Sequence, residues 1–234
     1  MRRPIEAAAD SPAEASPPVP LLSAQAVLKA EAALIGGKPQ LTKRYHTAPL
    51  KIAKAFGLND ASGPQLAVVQ MDASPGMLNG DRYGFDWSIG EKTRLYVTNQ
   101  AYTRVHPCPR SDARAEMRFR LARDAVLEWM PEPVMLFREA RYASSTEIEL
   151  EPGAVCIAAD LICPGRAARG EAFDFASCAG IRPSCFSGRP DASEASRIWR
   201  LCPSSPTGRT GRSPTGLRTG WRRARERGSC SARY

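Results

Sequence analysis

The 234 residues contain only two histidines, His46 and His106, and no G-x-S-x-G segment surrounds any serine, so a conventional hydrolytic triad has little to build on. Neither G-x-x-x-x-G-K-[ST] nor a strand-linked G-x-G-x-x-G occurs, which removes the loops that cradle nucleotide phosphates. The seven cysteines are odd in number and none lies in a C-x-x-C pair, so neither a disulfide framework nor a zinc ribbon is signalled. A reducing, cytoplasmic setting fits that usage. No run of eighteen apolar residues exists, and the two arginines at the start have no apolar segment behind them, so neither a membrane span nor a secretory signal is expected.

What charge there is sits in one place. The formal net charge is +9, yet the tail from 178 to 234, with twelve arginines, no lysine and three acidic residues, accounts for all of it, leaving residues 1–177 neutral. Arginines without a folded reading face support non-specific electrostatic contact at most, so no nucleic-acid partner is expected. The tail also lacks valine and methionine and shows no period of either kind. Two readings of it stay open: an Arg-rich interaction tail, or a G+C-rich gene read out of frame beyond about residue 177.

Three regions follow. Residues 1–20 are Ala, Pro, Ser and Glu with almost nothing to bury, and are expected to be disordered. Residues 21–177 form the expected domain, and 178–234 a disordered or out-of-frame tail. In 21–35 the alanines and leucines favour a helix while Leu28, Ala30, Ala32 and Leu34 alternate with Lys29 and Glu31; the alternation favours a strand. From 41 to 176 the period is two. In RYGFDWSI, Tyr83, Phe85, Trp87 and Ile89 share one face, and EMRFRL and TEIEL repeat the pattern. LAVVQM, LYVT, VMLF and AVCIAADLI read as strands buried on both faces. Pro75-Gly76, Asn79-Gly80, Pro152-Gly153 and Pro164-Gly165 punctuate these runs. The expected fold is mainly β: one domain of stacked, largely antiparallel sheets.

Four stretches taken together, YHTAPLKIAKAF at 45–56, SPGMLNGD at 74–81, TNQAYTRVH with LEWMPEPVMLF within 98–137, and AADLICPGRAARGEAF at 158–173, resemble the urease accessory protein UreD (UreH) family. The resemblance covers about 41–176 and is expected to extend from about residue 27 onward. It implies a β-rich scaffold without catalytic activity that binds urease apoprotein, recruits UreF and through it the GTPase UreG, and serves nickel insertion. No cofactor is bound tightly; nickel would be in transit through a water-filled passage, for which weakly holding oxygen donors are suited.

On the residues alone, Asp81 closes an Asn79-Gly80 hairpin of type I′. The resemblance places Gly80-Asp81 on the family's G-D motif, among the acidic residues proposed to line the passage, with Asp160 and Glu171 on two more acidic motif positions. Asp160 sits in a run so apolar that its carboxylate must be paired or hydrated, whereas Glu171 has a plain alternative, facing solvent beside Arg169. Thr103 and Arg104 occupy a polar motif end, Arg104 with the alternative of pairing a nearby carboxylate. His106 and Cys108 in VHPCP are two soft donors that fit a surface loop better than a metal site. In Trp129-Met130-Pro131-Glu132-Pro133, two prolines in three residues exclude a central strand, so Pro131 and Pro133 mark a fixed corner. Relatives continue with further strands and helices beyond the last motif, so the domain is expected to be incomplete. A small hydrolase using Asp81, Asp160 or Glu171, and an electrostatic adaptor acting through the Arg tail, are the competing functions.

Overall fold

The alternation in QAVLKAEAALI buries Ala26, Leu28, Ala30 and Ala32 and leaves the residues between them wetter, and the segment is strand β1 (Gln25–Ile35). The left-handed glycines Gly36 and Gly37 return it into β2 (Lys38–His46) as an antiparallel hairpin. A second hairpin joins β3 (Leu50–Asp60) to β4 (Gly63–Asp72). The computed structural model describes residues 23–179 and 183–187. The expectations for residues 1–20 and for the tail from 188 onward lie outside the described residues.

After the hairpins the chain settles into a repeat. It runs through β5 (Arg82–Ile89), β6 (Arg94–Asn99) and β7 (Thr103–Val105), then β8 (Ala113–Leu121), β9 (Val126–Trp129) and β10 (Val134–Leu136). It continues through β11 (Arg141–Leu150), β12 (Val155–Ala158) and β13 (Ile162–Cys163), and ends with β14 (Ser177–Ala179) and β15 (Pro183–Ser187). Each strand lies parallel to its counterpart one turn earlier. The first sheet is ordered β14-β11-β8-β5-β1-β2 with β15 also on β11, the second β12-β9-β6-β4-β3, and the third β13-β10-β7. The molecule is a three-sided β-solenoid, its core a single cluster centred on Leu28, Trp87, Phe119, Ile148, Leu95 and Leu127. Trp129 tilts against Phe119 at 4.9 Å between ring centroids and meets Phe85 edge-on at 6.3 Å.

Mainly β and stacked sheets hold; largely antiparallel does not. Among the described residues the two hairpins supply the antiparallel pairs, and every other pairing between named strands is parallel. Alternation reports that a strand has a dry and a wet face, and a solenoid rung has both whatever its direction. AVCIAADLI is also two strands, β12 and β13, in different sheets, turned at 159–161. The strand order carries on to Ser187, past the boundary set at 177.

The turn signals mark corners between sheets. Glu151-Pro152-Gly153-Ala154 stacks on Ala122-Arg123-Asp124-Ala125, which stacks on Gly90-Glu91-Lys92-Thr93, and each is closed by a backbone bond of 3.1–3.2 Å from its fourth residue to its first. The third residue of all three, Lys92, Asp124 and Gly153, has positive φ. Ala122 N–H bonds Ile89 C=O and Glu151 N–H bonds Leu121 C=O, so the corners are tied to one another.

Asn79-Gly80 likewise is no hairpin, because β4 pairs with β6 and β5 with β1 and β8. Asp81 N–H bonds Leu78 C=O at 3.1 Å and only Gly80 of the central pair has positive φ (82°), the pattern of a type II turn and not of type I′. Asn79 spends its side chain holding the loop before β8: its Oδ1 accepts from the N–H groups of Arg110 and Ser111, each at 2.9 Å.

Candidate functional site

The inward side of the second sheet carries Leu66 and Val68 and then Gln70; the neighbouring strand repeats this with Leu95, Val97 and then Asn99. Two polar residues thus take core positions side by side, and Gln70 Nε2 donates to Asn99 Oδ1 at 2.7 Å. Both line a cavity of about 90 Å³ between the inner faces of all three sheets, room for several waters. Its walls are mostly apolar, with Phe85, Met117, Trp129 and Ile148, and its polar groups are Gln70, Asn99, Thr103, Glu132, Tyr142, Thr146 and Asp160 among others. Gln70 is 3% exposed, and its Oε1 has no hydrogen-bond partner among the described residues. A buried acceptor left over in this way is suited to a polar occupant.

Two expected residues reach this cavity. Thr103 comes from β7, and Asp160 follows β12 where Ala159 N–H bonds Trp129 C=O at 2.9 Å. Asp160 is partly buried, and its charge bears on the Tyr142 hydroxyl, whose pKa is pushed well above the usual tyrosine value, first by burial and then by that carboxylate. A surface groove lined by Asp72, Ser74, Pro75, Gly76, Tyr102 and Arg104 shares Asn99 and Thr103 with the cavity. Arg104, the next residue of the same strand, is exposed there.

The other two carboxylates lie elsewhere and act as clasps. Asp81, 3% exposed, accepts the Ala24 N–H at 2.6 Å on Oδ1 and the Leu78 N–H at 2.7 Å on Oδ2, tying its own turn to the segment that leads into β1. Glu171 is buried and does not face solvent beside Arg169: it takes a two-pronged bond from Arg166, Nε at 2.7 Å and Nη2 at 2.6 Å, while the same guanidinium lies over the Phe137 ring at 4.3 Å. These bonds hold the Glu171 carboxyl below its ordinary value of 4.5, against the opposing effect of desolvation. A lowered folded-state pKa contributes stability that is complete above the ordinary value and disappears as the pH falls through the lowered one. The unaltered chain is therefore expected to melt above Glu171→Gln at pH 7, with the gap closing below about pH 4. A gap that stays constant to about pH 2 in thermal melts would remove the ion pair as its cause.

The VHPCP donors also turn to structural use. Cys108 is fully buried with its thiol directed to the His106 carbonyl at 3.2 Å, while His106 Nε2 lies 3.2 Å from the Pro75 carbonyl and its ring stands edge-on to Phe137. Among the described residues no three His, Cys, Asp or Glu side chains are grouped to hold a metal ion. Gly76 (φ 134°) and Gly165 (φ 90°) sit where a side chain would strike backbone oxygens, and Met130 to Pro133 make the corner between β9 and β10. Gln70, Asn99, Glu132 and Tyr142 were missed by sequence reasoning. The signal for the first two was a polar residue on the dry register of a strand; Glu132 was hidden between two prolines read as architecture.

The UreD urease accessory protein family model matches residues 23–198. The chain belongs to the UreD family. The match runs past residue 177, where the body was expected to stop. A UreD of Trichodesmium erythraeum is 33% identical over 142 residues, covering 59% of this chain and 50% of that protein. A UreD of Acetivibrio thermocellus is 32% identical over 139 residues (59% and 52%), and UreD 2 of Streptomyces griseus 30% over 139 residues (59% and 47%). The chain spans about half the length of these curated relatives. Such UreD proteins are named as accessory proteins, which fits a non-enzymatic member, and Asp81, Asp160 and Glu171 fall in three separate environments, an arrangement that gives a hydrolase no paired acid and base. Among the described residues no helix is long and apolar enough to cross a membrane.

Proposed function

We propose that this chain is a scaffold for urease maturation that binds urease apoprotein, recruits UreF and through it the GTPase UreG, and gives nickel in transit a polar route through its interior. The reading places it in the cytoplasm and assigns it no chemistry of its own. The observation that carries it is the polar strip inside an otherwise apolar solenoid: Gln70 with its free Oε1, Asn99, Thr103, Glu132 and Asp160, of which Asn99 and Thr103 also line an outer groove. Carboxylate, amide and hydroxyl oxygens hold a borderline cation loosely, as cargo requires, where a thiolate or imidazole cluster would retain it.

The test separates transit from scaffolding. Gln70→Leu with Asp160→Asn, expressed in a strain lacking its own accessory gene, is expected to cut nickel-dependent urease activation at least about tenfold, while co-purification with urease apoprotein is unchanged. Full activation by the double variant would remove the passage and leave only the scaffold; loss of co-purification would show the substitutions acting through the fold.

A further inference from the structure

The outer faces of the first two sheets differ in kind. Across the first, the register sets Lys29, Asp86, Arg118 and Glu147 side by side, so charge alternates from strand to strand. Arg118 bonds Glu147 at 2.8 Å, and Arg120 in the next row bonds Asp86 at 2.6 Å. Charges of both signs are therefore interleaved across that face.

The second sheet turns Phe56, Leu58, Val69, Tyr96, Val126 and Ile157 outward. Phe56 and Leu58 are exposed (39% and 41%), the other four are half-buried, and none of the six belongs to the core cluster or packs against it. The charged groups inside the rim of this face are already committed: Arg94 is held by Asp60 at 2.8 Å and Glu128 accepts from Gln65 at 3.1 Å. Along its β3 rim stand Lys51 and Lys54, on the same side as Phe56, and among the described residues neither has a carboxylate partner. An apolar field with an unneutralised basic rim is complementary to an apolar surface edged with carboxylates.

A second copy of the chain is a poor occupant. The free edge of β3 carries two lysines and a bulge between Ile52 and Lys54, the devices that stop one sheet edge from pairing with another, and a second copy would bring the same basic rim. A face of five strands at roughly 4.8 Å spacing matches the width of about two helices.

We propose that the outer face of the second sheet is the docking surface for a helical partner protein whose apolar stripe is flanked by aspartates and glutamates. The inference rests on the scaffold reading for the existence of a partner, and it adds the face and the partner's chemistry.

The probes are UreF and urease apoprotein, each presented separately to the full chain immobilised by a tag. Lys51→Glu/Lys54→Glu changes only exposed side chains, Val126→Thr/Ile157→Thr keeps β-branched residues in the strands, and Arg118→Glu on the first sheet is the control. Both second-sheet variants are expected to lose at least about tenfold in affinity for one of the two probes at low salt, while the control keeps it. Undiminished binding by both variants overturns the inference and leaves the scaffold reading standing. Binding of neither probe by the unaltered chain overturns both. Second-sheet variants that abolish a concentration-dependent dimer, or binding to vesicles of anionic lipid, with capture of the two probes unaffected, would assign the face to a second copy or to a membrane and overturn the inference as well.

Discussion

Replacing Asp81 with alanine is expected to lower the melting temperature by roughly 5–20 °C, the largest effect of any single substitution considered. The carboxylate satisfies two backbone donors, Ala24 and Leu78, from a site only 3% exposed. Alanine leaves both N–H groups without their partner at about 1–3 kcal/mol each, and it frees the segment that starts β1 from the turn beneath it. Asp81→Asn keeps one carbonyl acceptor and is expected to recover about half of the loss. The pair also decides what the residue is for. If the carboxylate serves only as a clasp, urease activation by Asp81→Asn follows its stability; near-normal melting with activation abolished would place the charge in nickel transit.

Gly165→Ala is the second large effect. At φ 90° an added Cβ would lie 2.5 Å from the Glu171 carbonyl oxygen and 2.6 Å from that of Leu136, two pieces of main chain that cannot both yield. The left-handed conformation costs about 1–2 kcal/mol and the overpacking about 1–3 kcal/mol more. Gly170→Ala, also left-handed (φ 74°) but with nothing within 4 Å of the added atom, is expected to show the conformational part alone. Equal melting temperatures for the two variants would mean that the crowding at Gly165 is relieved by a small shift.

These clasps explain what could and could not be read from the sequence. RYGFDWSI announced a half-wet strand, and β5 is one, because burial on one side imprints a period of two on any strand. Strand direction left no such imprint. It is set by where the chain re-enters each sheet, and the corners that govern re-entry use Lys92, Asp124 and Gly153, three different residue types, at one structural position. A repeat kept in backbone angles and not in residue types is invisible to motif reading.

The site divides along similar lines. Asp160 could be flagged because a carboxylate in an apolar run needs an explanation, and the cavity at its side supplies one. The plain alternative for Glu171, facing solvent beside Arg169, fails because its carboxylate is buried on Arg166: the short turn at Ala167–Arg169, closed by Gly170, folds Arg166 back while leaving Arg169 exposed. Gln70 carries no such flag, because LAVVQM reads as a strand buried on both sides and an amide at its end does not stand out as one facing inward.

The stacked corners carry a consequence for how the molecule could be rebuilt. Since each circuit is joined to the next by the same three-residue-apart bond and the same backbone twist, the natural unit of length is one whole circuit, and excising or duplicating the stretch from β8 to the corner before β11 would shorten or extend the column while presenting matching ends. Its height, and with it the depth of the internal polar strip, is a quantity that can be dialled in discrete steps.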